Sequence, residues 1–230
     1  GTSAPETAVS ISSAIKGNAD ICIGNVVGSN ILNVLIILGI TATIVELKVA
    51  KSTIRYEIPY MIFITIVLLI MGYTGNKVTL FEGAILWALF ILYLAYLFVM
   101  ARKNNSDDEY QENKPAWKLV LYIVVGLAII ICGSNITVDS AVSIAKAIGI
   151  SERFIGLTIV AFGTSLPELV TSLAAARKGN ADIAIGNIVG SNIFNILFVI
   201  GTTAFILPVT FESKFVVDTI ICIATGVLLW

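Results

Sequence analysis

GTSLPE at residues 163–168 restates GTSAPE at 1–6, and KGNADIAIGNIVGSNIFN at 178–195 restates KGNADICIGNVVGSNILN at 16–33. The longer pair differs only at Cys22/Ala184, Val26/Ile188 and Leu32/Phe194. One constant offset carries both matches, and it is far too long for a solenoid repeat. Each copy sets a Thr-Ser pair, a proline and a glutamate inside or beside a strongly apolar run. The chain is therefore built from two related halves, each interrupted at the same polar point.

Composition says where those halves reside. Hydrophobic residues make up 57% of the chain and charged residues 13%, against about 25% charged in an ordinary soluble domain. Several apolar runs approach the ~20 residues that span a bilayer, which predicts an all-α integral membrane protein in the cell (inner) membrane, crossing it several times. The net charge of −1 says nothing about nucleic acid, and with no basic patch none is expected as a partner. Cys22, Cys132 and Cys222 each lie in an apolar run, with neither CxxC spacing nor histidine. They read as buried packing residues rather than a disulfide frame or zinc site. With no histidine at all, proton coupling would have to run through carboxylates.

Apolar runs and their punctuation set the spans. A half-span at 1–15 passes through Lys16-Gly17-Asn18 into a helix near 20–45. Lys48, Lys51 and Arg55 mark an interfacial loop, followed by plain spans near 57–73 and 79–101. The second of these carries Trp87, Tyr93 and Tyr96, which suit the membrane interface or packing. RKNNSDDEYQENKPAW (102–117) is the one clearly hydrophilic segment and reads as a mobile linker. Asp107, Asp108 and Glu109 in it lack EF-hand spacing and read as a solvated loop, not a calcium sensor. The first repeat is thus 1–101 and the second 118–230. In the latter, a run to about 148 carries Asn135 and Asp139, and the interface suits Asp139 best. A span at 152–177 breaks at Gly163–Pro167, a helix follows near 181–206, and a last span opens near 215. The first copy opens directly on its motif, whereas ERFIGLTIVAF (152–162) precedes the second, and the chain stops on GVLLW. This predicts a fragment lacking a first helix, half of the next, and one or more at the C-terminus.

About five spans separate Lys16-Gly17 from Lys178-Gly179. An odd number puts the two equivalent loops on opposite faces, so the repeats are inverted. Lys48, Lys51, Arg55, Arg102, Lys103, Lys114, Lys118, Arg177 and Lys178 then share one face, nine of the 14 basic residues. That face is expected to be cytoplasmic. Duplicated membrane segments interrupted by polar residues are the mark of a transporter with its site at the repeat interface.

At the interruptions, Pro167 lacks an N–H and Gly163 relaxes the backbone, so the helix breaks and frees carbonyls around Ala161 to Thr164. Such backbone is tolerated at membrane depth only where protein or a polar cavity receives it. Ser165-x-x-Glu168 matches a capping box that restarts the helix. A cap alone does not require two buried charges, so Glu6 and Glu168 lead the functional candidates. Carboxylates, hydroxyls and freed carbonyls are the hard oxygen ligands of Ca2+ and Na+, and nothing here offers soft ligands for zinc or copper. Facing carboxylates repel unless a cation or a shared proton lies between them. Gly28 and Gly190 are expected to permit close helix approach, with Ser29, Asn30, Asn33 and Ser191, Asn192, Asn195 hydrogen-bonding across helices. Ser29 and Asn33, like Ser191 and Asn195, stand four apart and share a helix face that can supply oxygens. Helix bonding alone is the competing reading for each, and Asn25 and Asn187 are assigned to packing.

These motifs resemble the two alpha repeats of the calcium/cation antiporter superfamily, close to prokaryotic sodium/calcium exchangers, over nearly the whole chain. The resemblance implies a fold of ten helices in two inverted halves, with helices broken at the midplane. It implies that Thr2, Ser3, Glu6, Ser29 and Asn33 of one repeat line alternating ion sites. Thr164, Ser165, Glu168, Ser191, Asn195 and the Ala161 carbonyl do so in the other. Some relatives carry Asp at one of the positions held here by Asn33 and Asn195, so charge in this chain rests on two glutamates. The expected activity is Ca2+ exchange for Na+ by alternating access, with no cofactor and no enzymatic reaction. A Ca2+/H+ antiporter is the alternative coupling, and a passive cation channel the alternative class.

Overall fold

The computed structural model describes residues 2–15, 20–104, 116–149 and 161–230. In the first repeat α1 (Ala4–Ile15) leads to α2 (Asp20–Leu32), which passes through a π turn (Asn33–Ile37) into α3 (Leu38–Ile44). A second π turn (Thr53–Glu57) opens α4 (Ile58–Gly75), and α5 (Leu80–Asn104) follows. The other half comprises α6 (Ala116–Ala147), α7 (Ala161–Thr164), α8 (Leu166–Arg177), α9 (Ala181–Phe194), a π turn (Asn195–Ile200), α10 (Gly201–Ile206) and α11 (Lys214–Leu229). Beyond the all-helical expectation, β1 (Lys77–Val78) and β2 (Val209–Thr210) pair antiparallel, Lys77 opposite Thr210, and join the α4–α5 connection to the α10–α11 connection.

The internal repeat in sequence is a repeat in structure. Helix α8 answers α1, α9 answers α2, and each pair is followed by a π turn that starts on the matching asparagine, Asn33 or Asn195. Pro167 occupies the first turn of α8, where its missing N–H costs nothing. The chain breaks at Ser165 (φ −90°, ψ 3°), between α7 and α8. Among the described residues, four stretches are long and apolar enough to cross a membrane: Cys22–Ile44, Thr53–Gly75, Leu80–Arg102 and Ala181–Ile206. The chain runs through them as two inverted-topology repeats of transmembrane helices.

Buried aliphatics concentrate where the repeats meet: Ile23 and Ile37, Ile58, Ile64 and Leu68 of α4, Leu86 of α5, and Ile185, Ile188, Ile193, Ile196 and Leu197. The outer faces stay apolar, with Phe63, Phe81, Leu92 and Phe98 exposed, as a lipid-facing surface requires.

Several expectations are corrected. Arg55 lies on the helical turn before α4, not in a loop, because the span starts at Thr53. Both edges of the hydrophilic linker are helical, since α5 runs to Asn104 and α6 opens at Ala116; Arg102 folds back over Phe98, 4.9 Å from its ring. Cys132 is exposed on α6, unlike Cys22 and Cys222. The rest of the linker, with Asp107, Asp108 and Glu109, lies outside the described residues, as do Lys16-Gly17-Asn18, residues 152–160 and the side chains of Asn135 and Asp139.

Close helix approach occurs at glycines other than those expected. A Cβ on Gly28 or Gly190 would meet nothing within 4 Å, whereas one on Gly83 would lie 2.8 Å from Ala204 Cβ and 3.0 Å from the Gly201 carbonyl. Gly72 is covered by the Phe211 ring. Gly83→Leu should therefore force α5 off α10 and cost about 1–3 kcal/mol, while Gly28→Ala should not lower stability. Thermal unfolding in detergent checks both, and a Gly83→Leu melt matching the parent's would refute the packing assigned to that contact.

Candidate functional site

Helix α8 begins at the break at Ser165 and α1 follows the turn at residues 2–3, and each carries a glutamate in its first turn, Glu168 and Glu6. The positive end of a helix favours a negative side chain there. Both glutamates are fully buried. No Lys or Arg pairs with either among the described residues, and no third Asp, Glu, His or Cys joins them.

What holds them is the other repeat. Ser3 Oγ donates to Glu168 Oε1 at 2.9 Å, and Ser165 Oγ donates to Glu6 Oε1 at 3.2 Å. The capping box expected at Ser165 is not made, since its side chain caps no backbone N–H of α8. The hydroxyl is taken instead by the Glu6 carboxyl oxygen of the other repeat. Thr2 lies 3.5 Å from Ser191 Oγ and donates to Asn187 Oδ1 at 3.3 Å, and Ser191 Oγ donates to Glu168 Oε1 at 3.4 Å. Thr164 is buried beside Ser165, and Ala161 opens the short helix leading into the break.

A second layer of amides lies between α2 and α9. Asn30 Nδ2 donates to the Asn192 carbonyl at 3.1 Å, and Asn192 Nδ2 donates to the Asn30 carbonyl at 3.2 Å. A carbonyl only accepts, so each amide nitrogen is committed and each Oδ1 faces outward. Those oxygens take Asn195 Nδ2 at 3.1 Å and Asn33 Nδ2 at 2.9 Å, respectively. Asn33 and Asn195 are thereby turned so that their own Oδ1 atoms have no partner. Ser29 Oγ donates to the Val26 carbonyl and accepts from Asn195 Nδ2 at 3.3 Å.

The result is four buried oxygens without hydrogen-bond partners, in two matched pairs: Glu6 Oε2 and Glu168 Oε2, Asn33 Oδ1 and Asn195 Oδ1. Unsatisfied buried acceptors are costly, and carboxylate and amide oxygens are the hard ligands that cations such as Ca2+ take. Thr2, Ser3, Glu6, Ser29, Asn30 and Asn33 of one repeat and Thr164, Ser165, Glu168, Ser191, Asn192 and Asn195 of the other are all buried, whereas Asn187 is half-buried. Asn30 and Asn192, read from sequence only as helix-bonding residues, turn out to orient two of the four oxygens. Their identical place in the two GSNxxN segments was the available signal. Asn25 and Asn187 tie each half-helix to the next, to Ser10 at 3.0 Å and Ser172 at 3.2 Å, and Asn187 also reaches Thr2.

Inverted repeats of membrane helices, with hard oxygens gathered where the halves meet, define a membrane transporter of cations. Comparison with known proteins narrows the class. The family model described as "Sodium/calcium exchanger protein" matches residues 1–99 and 118–230. The chain is 36% identical to Inner membrane protein YrbG of Escherichia coli (strain K12), over 100% of this chain and 75% of that protein. It is 30% identical to sodium/calcium exchanger MaX1 of Methanosarcina acetivorans, over 100% of this chain and 77% of that one. The solved structure of the sodium-calcium exchanger NCX_Mj soaked with 2.5 mM Na+ and 1 mM Sr2+ superposes with a TM-score of 0.83 at 33% identity, covering 99% of this chain and 74% of that one. The chain belongs to the sodium/calcium exchanger family, within the calcium/cation antiporters. It is a multi-pass membrane protein of cation exchange and not an enzyme.

Proposed function

We propose that the protein exchanges Ca2+ for Na+ by alternating access, with Glu6 and Glu168 as the charged ligands of a shared site. The carrying observation is the set of four partnerless oxygens from two glutamates and two asparagines. Added to them are the hydroxyls of Thr2, Ser3, Ser29, Thr164, Ser165 and Ser191 and the carbonyl of Ala161, assigned by likeness to the family's repeats. Ca2+ takes about 6–8 oxygens, a number this set reaches without a third acid.

Charge supplies the coupling. Two carboxylates balance one Ca2+ or two Na+, so occupancy by one ion excludes the other. A third Na+ would be poorly compensated. Filling the site to neutrality removes the repulsion between the glutamates and allows the inverted halves to exchange the open face. Moving Ca2+ outward against a membrane potential costs about 2.3 kcal/mol per charge per 100 mV, which the inward cation gradient supplies.

The test is uptake of radiolabelled Ca2+ into vesicles of the reconstituted protein, with Na+, K+ and proton gradients imposed in turn. Na+-driven uptake is expected. Uptake driven by a proton gradient alone would instead establish the Ca2+/H+ antiporter, and uptake indifferent to every counter-ion would establish a channel.

A further inference from the structure

Thr2 and Ser191, hydroxyls from opposite repeats, bring their Oγ atoms to 3.5 Å. Ser191 turns its proton to Glu168 Oε1 at 3.4 Å. Thr2 has an acceptor of its own in Asn187 Oδ1, at 3.3 Å. A hydroxyl carries one proton and two lone pairs. What Thr2 and Ser191 offer between them therefore turns on which end of the Asn187 amide faces Thr2.

A backbone carbonyl behind Asn187 settles the direction. The Ala184 carbonyl only accepts, so Ser172 Oγ donates to it, at 3.4 Å. Ser172, fully buried on α8, has then used its single proton and must accept from Asn187 Nδ2, at 3.2 Å. With Nδ2 toward Ser172, Oδ1 faces Thr2 and takes the Thr2 proton. Neither hydroxyl proton now lies between Thr2 and Ser191, and their lone pairs are left to face a common partner. Neighbouring oxygens held octahedrally at about 2.4 Å from a cation stand about 3.4 Å apart, which matches this pair. Asn187 is not itself a ligand, because both ends of its amide are taken.

We propose that Asn187 is a positioning residue for ion binding, drawing the Thr2 proton out of the site so that Thr2 and Ser191 present a paired oxygen edge to the cation. This rests on the reading of Thr2 and Ser191 as ligands of that cation. The chain from the Ala184 carbonyl through Ser172 and Asn187 to Thr2 has its polarity set at the end remote from the ion. Turning the Asn187 amide over would aim an N–H at Thr2 and push the hydroxyl proton toward the cation. Orienting groups of this kind act on affinity, through the ligand they hold.

The test is Ca2+ flux in vesicles of the reconstituted protein, measured over a range of Ca2+ concentrations. Asn187→Leu nearly keeps the side chain's size and removes both bonds. It should raise the half-saturating Ca2+ concentration about tenfold and leave maximal flux within about twofold of the parent's. Ser172→Ala, which touches Thr2 only through Asn187, should raise it about threefold, and carries the test if a detergent melt shows Asn187→Leu misfolded. Thr2→Val, isosteric but without the hydroxyl, supplies the decisive comparison. Adding Asn187→Leu to Thr2→Val should shift half-saturation no further, because the two act through one oxygen. Additive shifts, a parental half-saturation in Asn187→Leu, or a loss confined to maximal flux would each overturn the proposal. A parental half-saturation in Thr2→Val would remove Thr2 from the ion path, overturning the ligand assignment and the proposal with it.

Discussion

Glu168→Gln and Glu6→Gln should each abolish Ca2+ exchange in a protein that still folds. The substitution keeps size and shape and removes one of the two charges at the centre. Its consequence follows from the bonds already made. Ser3 donates to Glu168 Oε1 and Ser165 to Glu6 Oε1. In the amide, the oxygen will take the serine's proton and the nitrogen will occupy the place of Oε2. A donor then points at the cation where a carboxylate oxygen should be. A loss of at least about a hundred-fold in flux is expected, or about 2.7 kcal/mol at 1.36 kcal/mol per tenfold. Vesicle flux at matched expression, with a detergent melt as the folding control, decides it. Near-normal exchange by either variant would remove the glutamates from the ion path.

Asn195→Asp should change which ions drive exchange, or make it depend on pH, rather than merely weaken it. Asn195 Nδ2 donates to Ser29 Oγ and to Asn30 Oδ1, while its own oxygen is free. An aspartate there has two ways to fit. It can keep a proton and so preserve the donation to Asn30, which couples the site to pH. Alternatively it can ionise, in which case a third negative charge holds a further cation. Asn30 cannot simply turn to help, because its amide nitrogen is committed to the Asn192 carbonyl. Comparing the Na+ and pH dependence of Ca2+ flux in parent and variant separates these from a purely structural role. Unchanged ion and pH dependence in a well-folded variant would rule position 195 out of the ion path.

Much of this architecture is legible in the sequence because it is written twice. Repetition of GTSxPE and GNxxGSNxxN marks the helix breaks, the matched helices and the glutamates. What escapes reading is decided across the repeats. The π turns at Asn33 and Asn195 have no local signature, since no residue type distinguishes a widened turn from an ordinary one; each begins at an asparagine bonded to the other half. Ser165 looks like a cap until Glu6, distant in the chain, is placed beside it. Gly28 and Gly190 look like contact points by motif, but close packing falls on Gly83 and Gly72, where partners from α10 and Phe211 arrive.

The reciprocal amide-to-carbonyl bonds between Asn30 and Asn192 have a particular standing in an inverted repeat. If opening toward one side of the membrane means that each half adopts the other's shape, a contact that maps onto itself under that swap has the same energy before and after. The Asn30–Asn192 pair is such a contact and can serve as a stationary fulcrum. Contacts without a counterpart behave differently. Ser191 donates to Glu168, but Ser29 is engaged by Val26 and Asn195 and makes no matching bond to Glu6. Under that swap the mismatch reverses, so such contacts, unlike the asparagine pair, differ in energy between the two orientations.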